Sequence, residues 1–245
     1  VNEGTTIGFD TATSLLSVAA VRDGETVHES TVAPDEGGRP RHARALLGEI
    51  ELAADAAGGW ARVGLLAVGI GPGTFTGLRI GISTARALAQ GRGLPLAGVG
   101  SLTALAEPAT ALERPLLAVI DARRGEAFAQ LWRADRSVAW GPVVEGPDLL
   151  AERVRAEGSK PLAFGDGSLR FRDQLERSGA EVPGPDERVH RVSAAAVCRL
   201  AALGESGAAE AIEPDYLRRP DAELWREQQR RERAARDFER DDRDR

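Results

Sequence analysis

Two segments of this chain run into an aspartate in the same way. TTIGFD ends at Asp10 and LLAVID ends at Asp121, and each passes through a polar turn into a second β-rich stretch. Asp10 opens the polar turn DTATS, Asp10 to Ser14, which leads into SLLSVAAVRDGETVHESTV; after Asp121 comes ARRGEAFAQLWRAD. A strand, a polar turn and a returning strand, repeated about half a chain apart, point to a duplicated two-lobed α/β protein. Little sequence matches between the halves beyond that pattern. A chain of 245 residues is long enough for two modest lobes with real cores.

Between the two openings the pattern turns helical. Asp23-Gly24 separates two β-rich runs and predicts a hairpin. From Arg41, RHARALLGEIELAADAAG places Ala43, Leu46, Leu47, Ile50, Ala53, Ala54 and Ala57 at the spacing of one buried helical stripe, which Gly58 and Gly59 end. GLLAVGIG, Gly64 to Gly71, reads as a buried strand that delivers the chain into GPGTFTGLRIGISTARALA. A helix is expected from about Thr76 to near Gly91 and Gly93, and PLAGVGSLTALAEP then supplies a short strand and the start of another helix. The expected boundaries are a first lobe over 1–113, a second over 114–222, and a charged tail over 223–245. Glu227–Arg231 and Glu232–Arg236 in that tail are four residues apart, so it reads as a solvated helix or a disordered end.

Composition narrows the chemistry. Net charge is −6 with a pI near 5.3, so the whole molecule is not an electrostatic magnet for nucleic acid. Cys198 is the single cysteine, which excludes an intramolecular disulfide, and its setting in VSAAAVCRLAALG suggests a buried, inert thiol. His28, His42 and His190 are scattered with no metal-ligand spacing. No apolar run reaches membrane-spanning length and no signal-peptide core is present, so a cytoplasmic location is expected.

The glycines of GIGPGTFTGLRIG fit neither standard phosphate cradle. A P-loop needs four residues between its glycines and then lysine, whereas three separate Gly73 from Gly77 and Leu78-Arg79 follow. The dinucleotide fingerprint would place its third glycine at Thr76. Instead Gly77, Gly81, Ala85 and Ala89 recur every four residues and smooth one helix face. Two helical glycines cost roughly 1 kcal/mol each relative to alanine, which asks for a close-packed neighbour. That neighbour is either the chain's own lobe or a partner helix, and spacing alone does not choose. Gly71 and Gly73 either make the strand-to-helix turn or present an anion nest, and Arg79 either meets a phosphate or forms an ion pair. Asp10 and Thr11 either orient a metal-bound phosphate or stabilise a turn, and Asp121, Arg123 and Arg124 carry the same alternatives. No nucleophile–base pairing can be argued from spacing.

IGFDTATSLLSVAAV, RPRHARALL, GIGPGTFTGLRIGISTARALAQGRGLPLAGVGSLTALA, VIDARRGEAFAQLW and PDYLRRPDA occur in the order of the bacterial TsaB (YeaZ) family. The resemblance covers most of residues 6–222. It implies a two-lobed actin-like ATPase (ribonuclease H-like) fold with duplicated mixed β-sheet lobes and flanking helices. It also implies an accessory, non-catalytic subunit that dimerises with and activates the catalytic paralogue TsaD, with the ATPase TsaE joining. Together these transfer threonylcarbamoyl to the adenosine beside the anticodon of tRNAs reading codons that start with A, and tRNA is met through the complex rather than by this chain alone. The catalytic relative carries a segment like GVNHLEAH whose two histidines hold a metal. Here GVGSLTAL puts Ser101 and Leu105 at those positions, and neither can replace an imidazole ligand.

Carried over by position, the partner interface comprises Arg41, His42, Leu46 and Ile50 on the first helix with Gly77, Leu78, Gly81, Ala85 and Ala89 on the second. The first phosphate turn has Ala12 where nucleotide-binding relatives usually have glycine. No tightly bound cofactor is therefore expected, with Asp10, Thr11, Gly71 and Gly73 as the cradle candidates and ATP or ADP confined to the subunit interface of the complex. Homodimerisation of the isolated chain through the same helix face is left open by the sequence. The competing reading is an independent actin-fold ATP-dependent phosphotransferase.

Overall fold

The computed structural model describes residues 4–204 and 206–218; the tail read as 223–245 lies outside the described residues. β1 (Thr5–Asp10), β2 (Leu16–Arg22) and β3 (Glu25–Val32) form an antiparallel meander. Asp23 and Gly24 join β2 to β3 with φ of 50° and 83°, the left-handed pair that matches the twist of a two-residue hairpin. α1 (His42–Ala56) crosses to β4 (Val63–Gly71), which pairs parallel to β1. α2 (Phe75–Arg92) ends on Gly93 in the left-handed cap conformation, and β5 (Leu96–Gly100) pairs parallel to β4. The sheet order is β3-β2-β1-β4-β5.

α3 (Ser101–Ala106) leads into the second lobe, where β6 (Leu116–Arg123), β7 (Glu126–Trp132) and β8 (Val138–Glu145) repeat the antiparallel meander. α4 (Pro147–Glu157) crosses to β9 (Leu162–Phe164), parallel to β6, giving the order β8-β7-β6-β9. α5 (Asp166–Arg170), α6 (Arg172–Arg177) and α7 (Ala194–Leu203) complete the described helices. The first four strands of each lobe therefore follow one plan: hairpin, second hairpin, then a helical crossover to the far side of the first strand. Asp10 and Asp121 fall at the C-terminal end of each lobe's first strand, as their matching contexts suggested.

One reading needs correction. On α1 the buried stripe is His42, Leu46, Ile50, Ala53 and Ala54, with Ala57 just beyond, whereas Ala43 and Leu47 are exposed. One face of a helix suffices to cover the sheet, and Leu47 lies about 100° round from Leu46. α7 packs back on the first sheet, burying Ala194, Ala195 and Cys198 against Ala19 and Val21. The Cys198 Sγ lies 3.5 Å from the Thr6 carbonyl and 3.7 Å from that of Ala19. Both lobes share a core, since Leu65, Ala67 and Val99 of the first sheet cluster with α3 and with Leu116, Ala118 and Ile120 of β6.

Candidate functional site

Asp10 ends β1 with its carboxylate turned into the molecule. Oδ1 accepts the Ala12 N–H at 2.8 Å, and Oδ2 accepts the Ser101 hydroxyl at 2.6 Å. Burial pushes the Asp10 carboxyl above its usual value, while the bonds from Ser101 and Ala12 pull the other way. Thr11, fully buried, donates its hydroxyl to the Gly77 carbonyl at 2.8 Å. The Thr74 N–H donates to the Ala12 carbonyl at 2.8 Å, and a side chain at Gly73 would start 2.5 Å from the Ala12 Cβ. A Cβ at Gly71 would meet the Asp215 carbonyl at 3.0 Å. The four cradle candidates do come together, but as a junction that fills itself. Asp10 and Thr11 each bond to neighbouring protein groups, the arrangement of a stabilised turn.

The interface residues are likewise turned inward. His42, Leu46, Ile50, Gly77, Leu78, Gly81, Ala85 and Ala89 are all buried in the isolated chain. A Cβ at Gly77 would collide with the Thr11 carbonyl, and one at Gly81 with the Thr11 hydroxyl. The close neighbour required by the two helical glycines is thus the turn after β1 of the same lobe. His42 reaches the Leu15 carbonyl at 3.3 Å through Nε2, and of the nine proposed interface residues Arg41 alone is exposed.

What faces outward on these helices is a different set. On α1 Leu47 is 59% exposed and Leu52 is 55% exposed, and Ala43 and Gly48 are exposed with them. On the adjacent α2, Thr76, Arg79, Ser83 and Ala87 are exposed. The sequence carried one signal for this surface: Leu52 is a large apolar residue off the buried stripe.

In the second lobe Asp121 is paired, not open. Arg170 Nη1 donates to both of its oxygens, at 2.9 and 2.8 Å, and the Arg123 N–H donates to Oδ1 at 2.9 Å. Asp166 accepts the Asp121 N–H at 3.0 Å; burial pushes its carboxyl up, and the Asp121 charge adds to that rise. Arg123 and Arg124 both sit in the left-handed region, at φ of 64° and 54°, to turn β6 into β7. Ser101 is held under Asp10 and Leu105 is packed in the shared core. No group of three or more His, Cys, Asp or Glu side chains comes together among the described residues in a way that could hold a metal. No described helix is long and apolar enough to cross a membrane.

The duplicated strand plan defines a two-lobed actin-like α/β protein whose first-lobe turn after β1 is packed by its own residues. Comparison with known proteins specifies the family. A family model described as TsaD, tRNA N6-adenosine threonylcarbamoyltransferase, matches residues 24–140. The tRNA threonylcarbamoyladenosine biosynthesis protein TsaB of Escherichia coli is 31% identical over 226 residues, covering 86% of this chain and 94% of that protein. TsaB of Haemophilus influenzae is 34% identical over 154 residues, covering 61% and 63%. YeaZ from Pseudomonas aeruginosa superposes with a TM-score of 0.71 at 27% identity, covering 87% of this chain and 100% of that structure. The chain belongs to the TsaB family of tRNA threonylcarbamoyladenosine biosynthesis proteins.

Proposed function

We propose that this chain is the accessory, non-catalytic subunit of a cytoplasmic threonylcarbamoyl transferase, and that it acts by docking on and activating the TsaD-type catalytic paralogue. The observation that carries the reading is the pairing of a self-filled turn with an exposed helix face. Asp10 accepts from Ser101 and Ala12, and Thr11 donates to the Gly77 carbonyl, where a nucleotide or metal site would need free oxygens. Beside that closed turn, α1 and α2 offer Leu47, Leu52, Ser83 and Ala87 to solvent, an apolar, small-residue surface suited to another pair of helices. The TsaE-type ATPase and the tRNA are met through the assembled complex, and any ATP or ADP sits at the subunit interface rather than tightly in this chain.

The test is size-exclusion chromatography of the purified chain with its TsaD-type partner. The native chain co-elutes; Leu47→Asp, placed on the outward face, abolishes co-elution while circular dichroism and melting of the chain alone stay unchanged. Retained co-elution moves the interface elsewhere. A phosphotransferase would instead bind Mg-ATP as an isolated chain, and calorimetric binding in the micromolar range would favour that alternative.

A further inference from the structure

Residues 207–218 leave α7, cross the first lobe and end on the second. Leu96 and Gly207 exchange backbone hydrogen bonds of 3.2 and 3.1 Å, which extends the edge of β5. Arg86 of α2 donates to the carbonyls of Ile212 and Glu210. Further along, the Asp215 N–H donates to the Ile70 carbonyl at 2.8 Å. The Tyr216 ring lies 5.3 Å from that of Phe75, at the start of α2. Two residues later Arg218 donates to the Ala122 carbonyl at 2.9 Å and pairs with Glu126 at 3.2 Å, both in the β6–β7 hairpin. A cavity of about 240 Å³ lies beneath this crossing, between the first turn of α2 and the β6–β7 turn, with Tyr216, Leu217 and Arg218 in its wall.

We propose that residues 207–218 form a strap that fixes the angle between the two lobes, with Arg218 as its catch on the second lobe. The polar anchors before it lie on β4, β5 or α2, Leu217 packs against the core that both lobes share, and Arg218 carries the strap onto the β6–β7 hairpin. The Glu126 side chain is 40% exposed, so the ion pair is solvent-screened and weak, and the bond to the Ala122 carbonyl is the firmer of the two. The two lobes also share an apolar core drawn from both sheets, α3 and α7, and Leu217 of the strap packs against it. The strap grips α2 through Phe75 and Arg86, while Arg79 and Ser83 of the same helix face outward. On the docking proposed above, a partner seated on α2 is thereby coupled to the lobe angle; the strap itself does not depend on that docking.

The experiment uses the full chain alone. Spin labels are placed on Ala56→Cys in α1 and Ala156→Cys in α4, exposed positions one in each lobe, and the interlobe distance distribution is measured by pulsed electron resonance. The native strap gives one narrow distribution. Arg218→Ala adds a longer-distance population, and amide exchange in 121–128 rises about tenfold while that of β1 and α1 stays as it was. Glu126→Gln, a change at a partly exposed side chain that spares the Ala122 bond, gives an intermediate broadening. Superimposable distributions for all three chains overturn the proposal. So does loss of exchange protection in β1 and α1 with Arg218→Ala, because Arg218 would then be a general folding residue.

Discussion

Gly77 and Gly81 have the Thr11 backbone and hydroxyl where their side chains would be. An alanine at 77 must push a backbone carbonyl that cannot rotate away, whereas alanine at 81 breaks the bond from Thr11 to the Gly77 carbonyl. Alanine raises helix propensity by about 1 kcal/mol, but overpacking a closed site costs about 1–3 kcal/mol and acts on a buried hydrogen bond as well. Gly77→Ala is therefore expected to lower the urea-unfolding free energy of the isolated chain, and Gly81→Leu to prevent folding. An unchanged urea midpoint for Gly77→Ala would mean that the turn after β1 is looser than described. The spacing of these glycines was legible in the sequence, and so was the need for a close neighbour. That the neighbour is Thr11 was not, because a four-residue repeat fixes a face and says nothing of what covers it. Asp10 gives a second prediction at this scale. Its folded carboxyl is held above the ordinary value of 3.8 by burial, so the native state keeps a proton that the unfolded chain releases. The associated stability is full below pH 3.8 and is lost as pH rises through the folded value. Asp10→Asn keeps an acceptor for Ala12 and offers a donor to Ser101, so the difference in unfolding free energy, variant minus native, should grow with pH across that window. A difference that shrinks with pH would contradict the burial of a neutral carboxyl.

α1 shows at the level of an element why half of a surface was readable. Its helical period and its stop at Gly58 and Gly59 followed from apolar spacing and glycine chemistry, and the helix runs His42–Ala56. The phase was off at Leu47, because two adjacent leucines each fit a three-and-four repeat and sheet contact decides between them. Ile50 is fully buried while Leu47 and Leu52 face solvent. Ile50→Ala is expected to destabilise the chain by about 2–5 kcal/mol, in the range for a truncated core aliphatic residue. Leu47→Asp is expected within about 0.5 kcal/mol of the native chain, as for an exposed position with no special role. Urea titration of both variants checks the two faces independently of any partner. Comparable losses for the two would show that the outward face is buried in solution, which a self-associating chain would also reveal in its concentration dependence. The residues read as the docking face are buried within their own lobe, and the docking proposed above uses the outward side of the same helices.

The molecule as a whole is a duplicated plan whose halves are tied twice by its C-terminal third. The duplication was legible because aspartate-ended strands and hairpin turns are local signals. The ties were not, since α7 looks by its sequence like any apolar helix and nothing in it names the sheet it covers. Cys198 tests that tie directly. Its thiol is fully buried between α7 and β1–β2, and burial pushes it far above an ordinary thiol. A thiol reagent needs the thiolate and a path to it, so reaction requires α7 to lift from the first lobe. As the single cysteine, it makes the measurement unambiguous. Labelling by a chromogenic disulfide reagent at pH 8 should be slowed by roughly a thousandfold or more relative to the urea-unfolded chain, in keeping with an opening free energy near that of global unfolding. Gly8→Ala should speed it, because the added Cβ would lie 2.7 Å from the Cys198 Sγ and must prise α7 outward. The strap makes the further demand that Arg218→Ala leave the Cys198 rate unchanged, since it frees the second lobe from the strap without moving α7 off the first. Rapid stoichiometric labelling of the native chain would detach α7 from the first sheet, and with it the shared core that this fold depends on.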